Sequence, residues 1–231
     1  MRPSSSGFGA VLATALLLTP LAGSAQTIPS PYSYLERRQE MGLFSGHVGV
    51  DAGRFGYGPS GGVPYGLRYG IELSGPISFE GVAGMIDGTR DVVDPGRPEG
   101  DRVIGQADAL ITAIDARLKF SFTGRRSWHR LSPFLTVGGG IAFDVAGSSE
   151  LDDVLLPEDV FEFGSSFFGN VGFGTRWFVT DRIALRGEGV FSLWKIETPP
   201  GFSDPNRNFG EVSDGEWLRG TSLTLSLLYR W

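Results

Sequence analysis

The chain has 231 residues, with 20 basic and 26 acidic side chains, a formal net charge of −6, 35 glycines and no cysteine. A mildly acidic chain is a poor general binder of nucleic acid, which selects basic surfaces; without cysteine there is no disulfide, no cysteine-based metal site and no lipidated N-terminal cysteine. Aromatic residues make up 12% of the chain, too many for a disordered polypeptide, and glycine is about twice its average usage of ~7%.

Residues 1–25 read as a cleavable export signal. Arg2 supplies a positive start, 8–18 is an apolar run centred on Leu16, Leu17 and Leu18, and Pro20 breaks it. Small residues then lead to a cut after Ala25. The run is shorter than the ~20 apolar residues that a spanning helix needs, so a retained membrane anchor is the weaker reading. What remains suits a single domain. Residues 26–43 are expected as a periplasmic segment, with 33–41 either a turn or two of helix or a flexible leader.

From residue 44 onward the hydrophobic period is two, the signature of half-buried strands. Eight strands are expected, near 44–57, 65–75, 77–88, 108–123, 133–146, 166–179 and 183–196, with a last one running to the C-terminus. That last strand is the clearest. Leu223, Leu225, Leu227, Tyr229 and Trp231 alternate with Ser222, Thr224, Ser226, Leu228 and Arg230. In the first strand the apolar face is read as Val48, Val50 and Ala52, opposite His47 and Asp51. No later segment is apolar enough for a transmembrane helix. The connections alternate: 75–76, 124–132 and 180–182 are short, whereas 88–107, 147–165 and 197–216 are long, and only 58–64 in the second set is short. Short turns at one end and long loops at the other are the pattern of an outer-membrane barrel, with the short turns periplasmic.

The polar faces carry charges of both signs at mid-strand, namely Asp51, Arg68, Glu72, Glu80, Asp115, Arg117, Lys119, Arg176, Arg186 and Glu188. The opposite faces are bulky and nearly free of charge. A soluble barrel hides its apolar face inside, whereas a barrel in lipid turns that face outward. Aromatic residues gather in two belts, as interfaces require: Phe44, Phe79, Phe120, Phe122, Trp177, Tyr229 and Trp231 at one end, Tyr57, Tyr65, Phe143, Phe167, Phe191, Trp194 and Trp217 at the other. The fold class is therefore all-β, an eight-stranded antiparallel up-and-down transmembrane β-barrel over 44–231.

The export signal, the alternating strands and the terminal run from Leu223 to Trp231 together resemble the OmpA-like, OmpX-like and opacity-type superfamily of small outer-membrane barrels. The resemblance covers about 44–231, barrel only, with no peptidoglycan-binding domain after it. It implies the outer membrane of a diderm bacterium as location. It also implies lipid and lipopolysaccharide as surroundings, and recognition of Leu227, Tyr229 and Trp231 by the outer-membrane assembly machinery.

An eight-stranded barrel is just wide enough for side chains to fill its interior. The ten charges are thus expected to pair into a plug, the alternative being a narrow or gated conductance. The 147–165 loop carries Glu150, Asp152, Asp153, Glu158, Asp159 and Glu162 and no basic residue, and is expected to be solvated. Binding of Ca²⁺ or bridging to lipopolysaccharide is the sharper alternative, since hard cations take oxygen ligands. His47, placed near the periplasmic end of its strand, and His129, in a basic turn, give no nucleophile with a positioned base. Gly138, Gly139 and Gly140 precede no helix and read as room for close packing. The expectation is a monomeric, non-enzymatic barrel without metal or cofactor, serving membrane integrity or surface contact. A small-solute transporter, a lipid A-modifying enzyme and a soluble lipocalin-type barrel are the rivals.

Overall fold

The computed structural model describes residues 30–207 and 209–231, and the expected export signal over 1–25 lies outside them. Eight strands form the wall: β1 (Gln39–Val50), β2 (Pro59–Ser74), β3 (Ile77–Val93), β4 (Val103–Ser121), β5 (Leu131–Asp144), β6 (Ser165–Phe178), β7 (Ile183–Glu197) and β8 (Gly215–Arg230). Each pairs antiparallel with the next in sequence. The sheet closes between β8 and β1, where Arg230 lies opposite Glu40 and Gly220 opposite Val50. Closure leaves no sheet edge in the wall, which lipid demands of a spanning sheet.

Period-two patterning decides which way each side chain points. In β6 exposed and buried residues alternate without a break. Leu225 on the outer wall is 75% exposed, whereas Arg186 on the inner wall is fully buried. The barrel is thus inside-out relative to a soluble one, with leucine, valine and aromatic side chains outward and arginine inward.

Tight turns gather at one end: 75–76, with Gly75 at φ +53°, a value that favours glycine, and 179–182. The 122–130 connection at the same end contains a short strand, Arg126–Trp128. β2, β3 and β4 have 16, 17 and 19 residues, beyond the ~9–11 that cross a bilayer, so the β3–β4 hairpin extends the wall at the long-loop end.

The N-terminal part departs from expectation. Residues 33–41 form no helix. The short strand Tyr32–Tyr34 pairs with Arg126–Trp128 across the tight-turn end, and β1 starts at Gln39, five residues before position 44. The faces of β1 are also reversed: Glu40, Gly42 and Val48 are buried, while Met41, Leu43 and His47 are exposed. Val48 is apolar, yet pairing with β2 and β8 turns it inward, where it borders a cavity lined also by Val82, Val190, Arg68 and Asp115. His47 accordingly lies toward the long-loop end, opposite Leu223, and not toward the tight turns.

Candidate functional site

The lumen is filled in layers. Nearest the tight turns, Leu35, from the segment that precedes β1, packs with Phe178, Ala184 and Leu228. Above it Glu40 pairs with Lys119, with Arg176 at 2.9 Å and with Arg230 at 3.9 Å. Glu80 pairs with Arg186, with Arg68 at 3.4 Å and with Lys119 at 3.5 Å. Glu188 accepts from Arg186 at 2.7 Å, Arg68 at 2.9 Å and Thr136 at 3.1 Å, with Arg117 at 3.7 Å. Asp115 holds Arg117 in a two-point contact, its second bond at 2.9 Å. The charged groups come from seven of the eight strands, and Thr136 adds β5, so the network ties the wall across its diameter.

Eight of the ten expected charges meet in this network: Arg68, Glu80, Asp115, Arg117, Lys119, Arg176, Arg186 and Glu188. Two do not. Asp51 follows the last residue of β1 and is exposed, accepting from the Gly53 backbone N–H at 3.2 Å; the reversed β1 register removes it from the lumen. Glu72 pairs with Arg125 at the rim, because β2 is near its end there and 122–130 folds against it. Two partners are additional, Glu40 and Arg230. Arg230 already lies on the polar face of the last strand. Glu40 was missed because β1 begins earlier than its apolar pattern suggests.

Four lumen carboxylates, Glu40, Glu80, Asp115 and Glu188, face six cations, Arg68, Arg117, Lys119, Arg176, Arg186 and Arg230. Aromatic faces meet the excess positive charge. Arg186 lies 4.3 Å from the Phe134 ring centroid, Arg68 4.9 Å from Phe44, and Arg230 4.7 Å from Phe178. Phe44 therefore belongs to the interior and not to an interfacial belt. The glycine run serves this packing: a Cβ at Gly138 would meet the Ala116 carbonyl at 2.3 Å and the Arg117 side chain at 2.8 Å, and one at Gly140 would meet the Asp115 Cβ at 2.6 Å.

Above the charges lies a cavity of about 90 Å³ bordered by Arg68, Asp115, Asn170, Glu188, Phe168 and Trp194. Both amide atoms of Asn170 and the Thr224 hydroxyl are buried without a hydrogen-bond partner among the described residues. Buried polar groups of this kind are ordinarily satisfied by water.

The long-loop end is closed by an apolar cluster. Tyr57, Phe161, Phe163, Phe202 and Leu218 are buried together with Trp194, which stacks on Phe168 at 5.1 Å. Phe202 sits 4.8 Å from Phe55, 5.2 Å from Tyr57 and 5.6 Å from Phe209. Tyr57 and Trp194, expected in the outer aromatic belt, thus line the interior. Burial raises the Tyr57 phenol well above its ordinary pKa, and its hydroxyl donates to Thr198 at 3.3 Å.

The acidic 147–165 loop is tied down by arginines from elsewhere. Buried Asp152 pairs with Arg90 of β3, and Asp159 with Arg207 of the 198–214 loop. The hydrogen bond to Asp159 holds the Arg207 guanidinium above its usual pKa. Cross-loop pairs of this kind are invisible within the loop's own sequence. No group of three or more acidic or histidine residues suited to a metal ion occurs among the described residues.

Leu227, Tyr229 and Trp231 line the outer wall at the tight-turn end, with Tyr229 and Trp231 stacked at 6.0 Å. His129 lies in the 122–130 turn beside the Trp128 ring at 4.8 Å.

No protein-family model matches the chain, and no curated protein matches it in sequence. Solved structures do. Neisserial surface protein A superposes with a TM-score of 0.52 at 14% identity, over 84% of this chain and 97% of that one. The outer membrane protein OprG from Pseudomonas aeruginosa superposes with a TM-score of 0.53 at 10% identity, over 84% of this chain and 97% of that one. The chain shares the fold of the small eight-stranded outer-membrane barrels.

Proposed function

We propose that this chain works in the outer membrane of a diderm bacterium as a sealed, non-enzymatic scaffold that presents its acidic long loops to the outside. The observation that carries the reading is the double closure of the lumen, by ion pairs in one half and by the aromatic cluster in the other. The apolar outer wall supports insertion, and the shared fold supports the location. In this reading 26–38 stays in the periplasm and the barrel is a monomer in lipid and lipopolysaccharide. Leu227, Tyr229 and Trp231 are then read by the assembly machinery after export. The loops serve membrane integrity or surface contact.

Planar-bilayer recording tests the closure. The purified barrel is expected to give no steady conductance, and a steady single-channel current would replace the scaffold by a narrow channel. Heat-modifiable migration after detergent extraction of the outer membrane tests the embedding. Mass spectrometry of lipid A with and without expression tests the non-enzymatic role, with no new lipid A species expected.

A further inference from the structure

Arginines at the tight-turn rim behave differently from those in the lumen. Every lumen arginine meets a carboxylate within 4 Å. Arg37 and Arg130 form no ion pair among the described residues, yet both are held in place. Arg37 donates its Nε to the Asp181 carbonyl at 3.0 Å, and Arg130 donates Nη1 to the Val179 carbonyl at 3.1 Å. One turn, 179–182, therefore orients two guanidinium groups, each through a single N–H, and leaves their remaining donors uncommitted. Arg130 also follows His129 in the left-handed region, with φ +65° and +48°. The two residues are the centre of the tight hairpin turn between the paired Trp128 and Leu131, a turn that requires positive φ at both positions and so fixes where Arg130 starts.

Both arginines line one cavity of about 340 Å³, within the size range of ligand sites. Its roof is the segment ahead of β1, fixed by Leu35 N–H to the Arg125 carbonyl at 2.9 Å and by Arg230 to the Arg37 carbonyl at 2.8 Å. Glu36 and Asp181 line the same cavity, and neither forms an ion pair among the described residues. Arg230 is already shared with Glu40. Two available cations and two available carboxylates thus border one chamber, a balance that suits a zwitterion and not a simple anion. Guanidinium groups bind phosphate through paired N–H donors, and carboxylates accept from a primary ammonium. The cavity lies at the rim where Tyr34, Trp128, Trp177, Tyr229 and Trp231 are exposed, the aromatic marking of a headgroup region.

We infer that this cavity is a lipid-headgroup site for a zwitterionic phospholipid bearing a primary amine, its phosphate on Arg37 and Arg130 and its ammonium on Glu36 and Asp181. The inference rests on the rim lying at a membrane interface.

Native mass spectrometry of the full barrel released from nanodiscs tests it. The probes are phosphatidylethanolamine, phosphatidylglycerol and phosphatidylcholine, each diluted in the same neutral lipid. One phosphatidylethanolamine is expected to be retained, at least tenfold over phosphatidylcholine, whose ammonium carries no N–H. The R37Q/R130Q variant is expected to lose that preference at least tenfold. The E36Q/D181N variant is expected to switch to phosphatidylglycerol, because it leaves the site cationic; a merely destabilising change would not reverse a selectivity. Equal retention of the three lipids, or a preference unchanged in either variant, overturns the site. So does saturable binding of soluble O-phosphoethanolamine without lipid retention. Heat-modifiable migration of every variant is read in parallel. A barrel that inserts but shows no preference refutes the site alone, whereas a barrel that fails to insert refutes the embedding and the site with it.

Discussion

The two halves of the lumen are filled by opposite chemistry, and each fill needs a different kind of support. The half near the tight turns is ionic: Glu40, Glu80 and Glu188 each bridge cations from several strands, and the closed hydrogen-bonded wall on all sides fixes the geometry. The half near the long loops is aromatic, and most of its rings come from loops that reach back over the barrel, with Phe55, Tyr57, Phe161, Phe202 and Phe209 linked by successive ring contacts. Ion pairs removed from water require near-complete pairing and fixed partners. Burial of aromatic rings tolerates less regular backbone, because it is non-directional. A rigid strand wall suits the first and a set of irregular loops suffices for the second.

The largest effect is expected from breaking the ionic half. Glu188→Ala leaves Arg68, Arg117 and Arg186 short of a partner in a buried site and is expected to cost about 3–5 kcal/mol. Urea unfolding of the barrel in lipid vesicles measures this, and a loss below ~1 kcal/mol would show that water or lipid ions replace the carboxylate readily.

Phe202→Ala should act on the other half. Truncating a buried phenylalanine costs about 3 kcal/mol, but here the loss falls on loop closure. Limited proteolysis within 198–214 should accelerate while the unfolding midpoint of the wall barely moves. A matching drop in that midpoint would mean that the cap and the wall unfold as one unit.

A smaller, pH-dependent effect is expected at Tyr57. Its folded pKa is raised by burial, while an unfolded tyrosine ionises near ~10. Below about pH 10 the stabilisation is complete; above it the open form loses a proton that the closed form keeps, so cap stability falls as pH rises. Protease protection of the loops should weaken above that pH in the wild type, and Tyr57→Phe should remove the dependence.

The smallest term sharpens the comparison directly. Sites that share no partners add within about 0.3–0.5 kcal/mol, so Glu188→Ala and Phe202→Ala combined should cost the sum of their separate effects. A coupling above ~1 kcal/mol in the double-mutant cycle would show that the cavity beside Asn170 transmits strain between the halves.

Much of this was legible in the residues. The alternation of Leu223, Leu225, Leu227, Tyr229 and Trp231 with smaller and polar residues determined a strand with one lipid face. Repeated eight times between short and long connections, the same alternation determined the barrel and its inside-out polarity. Arg186 and Glu188 announced the ionic lumen because charges at mid-strand have nowhere else to go. The tertiary structure alone decided the rest. Val48 faces inward and Asp51 lies outside the network because register is set by pairing with β2 and β8, and a shift of one residue exchanges the faces. Tyr57 and Trp194 line the lumen instead of a belt because an aromatic ring satisfies a membrane interface or an apolar interior equally well. Asp152 and Asp159 find Arg90 and Arg207 only once distant loops fold over the same mouth. Periodicity records which residues share a face; which space that face borders is fixed only by the closed wall.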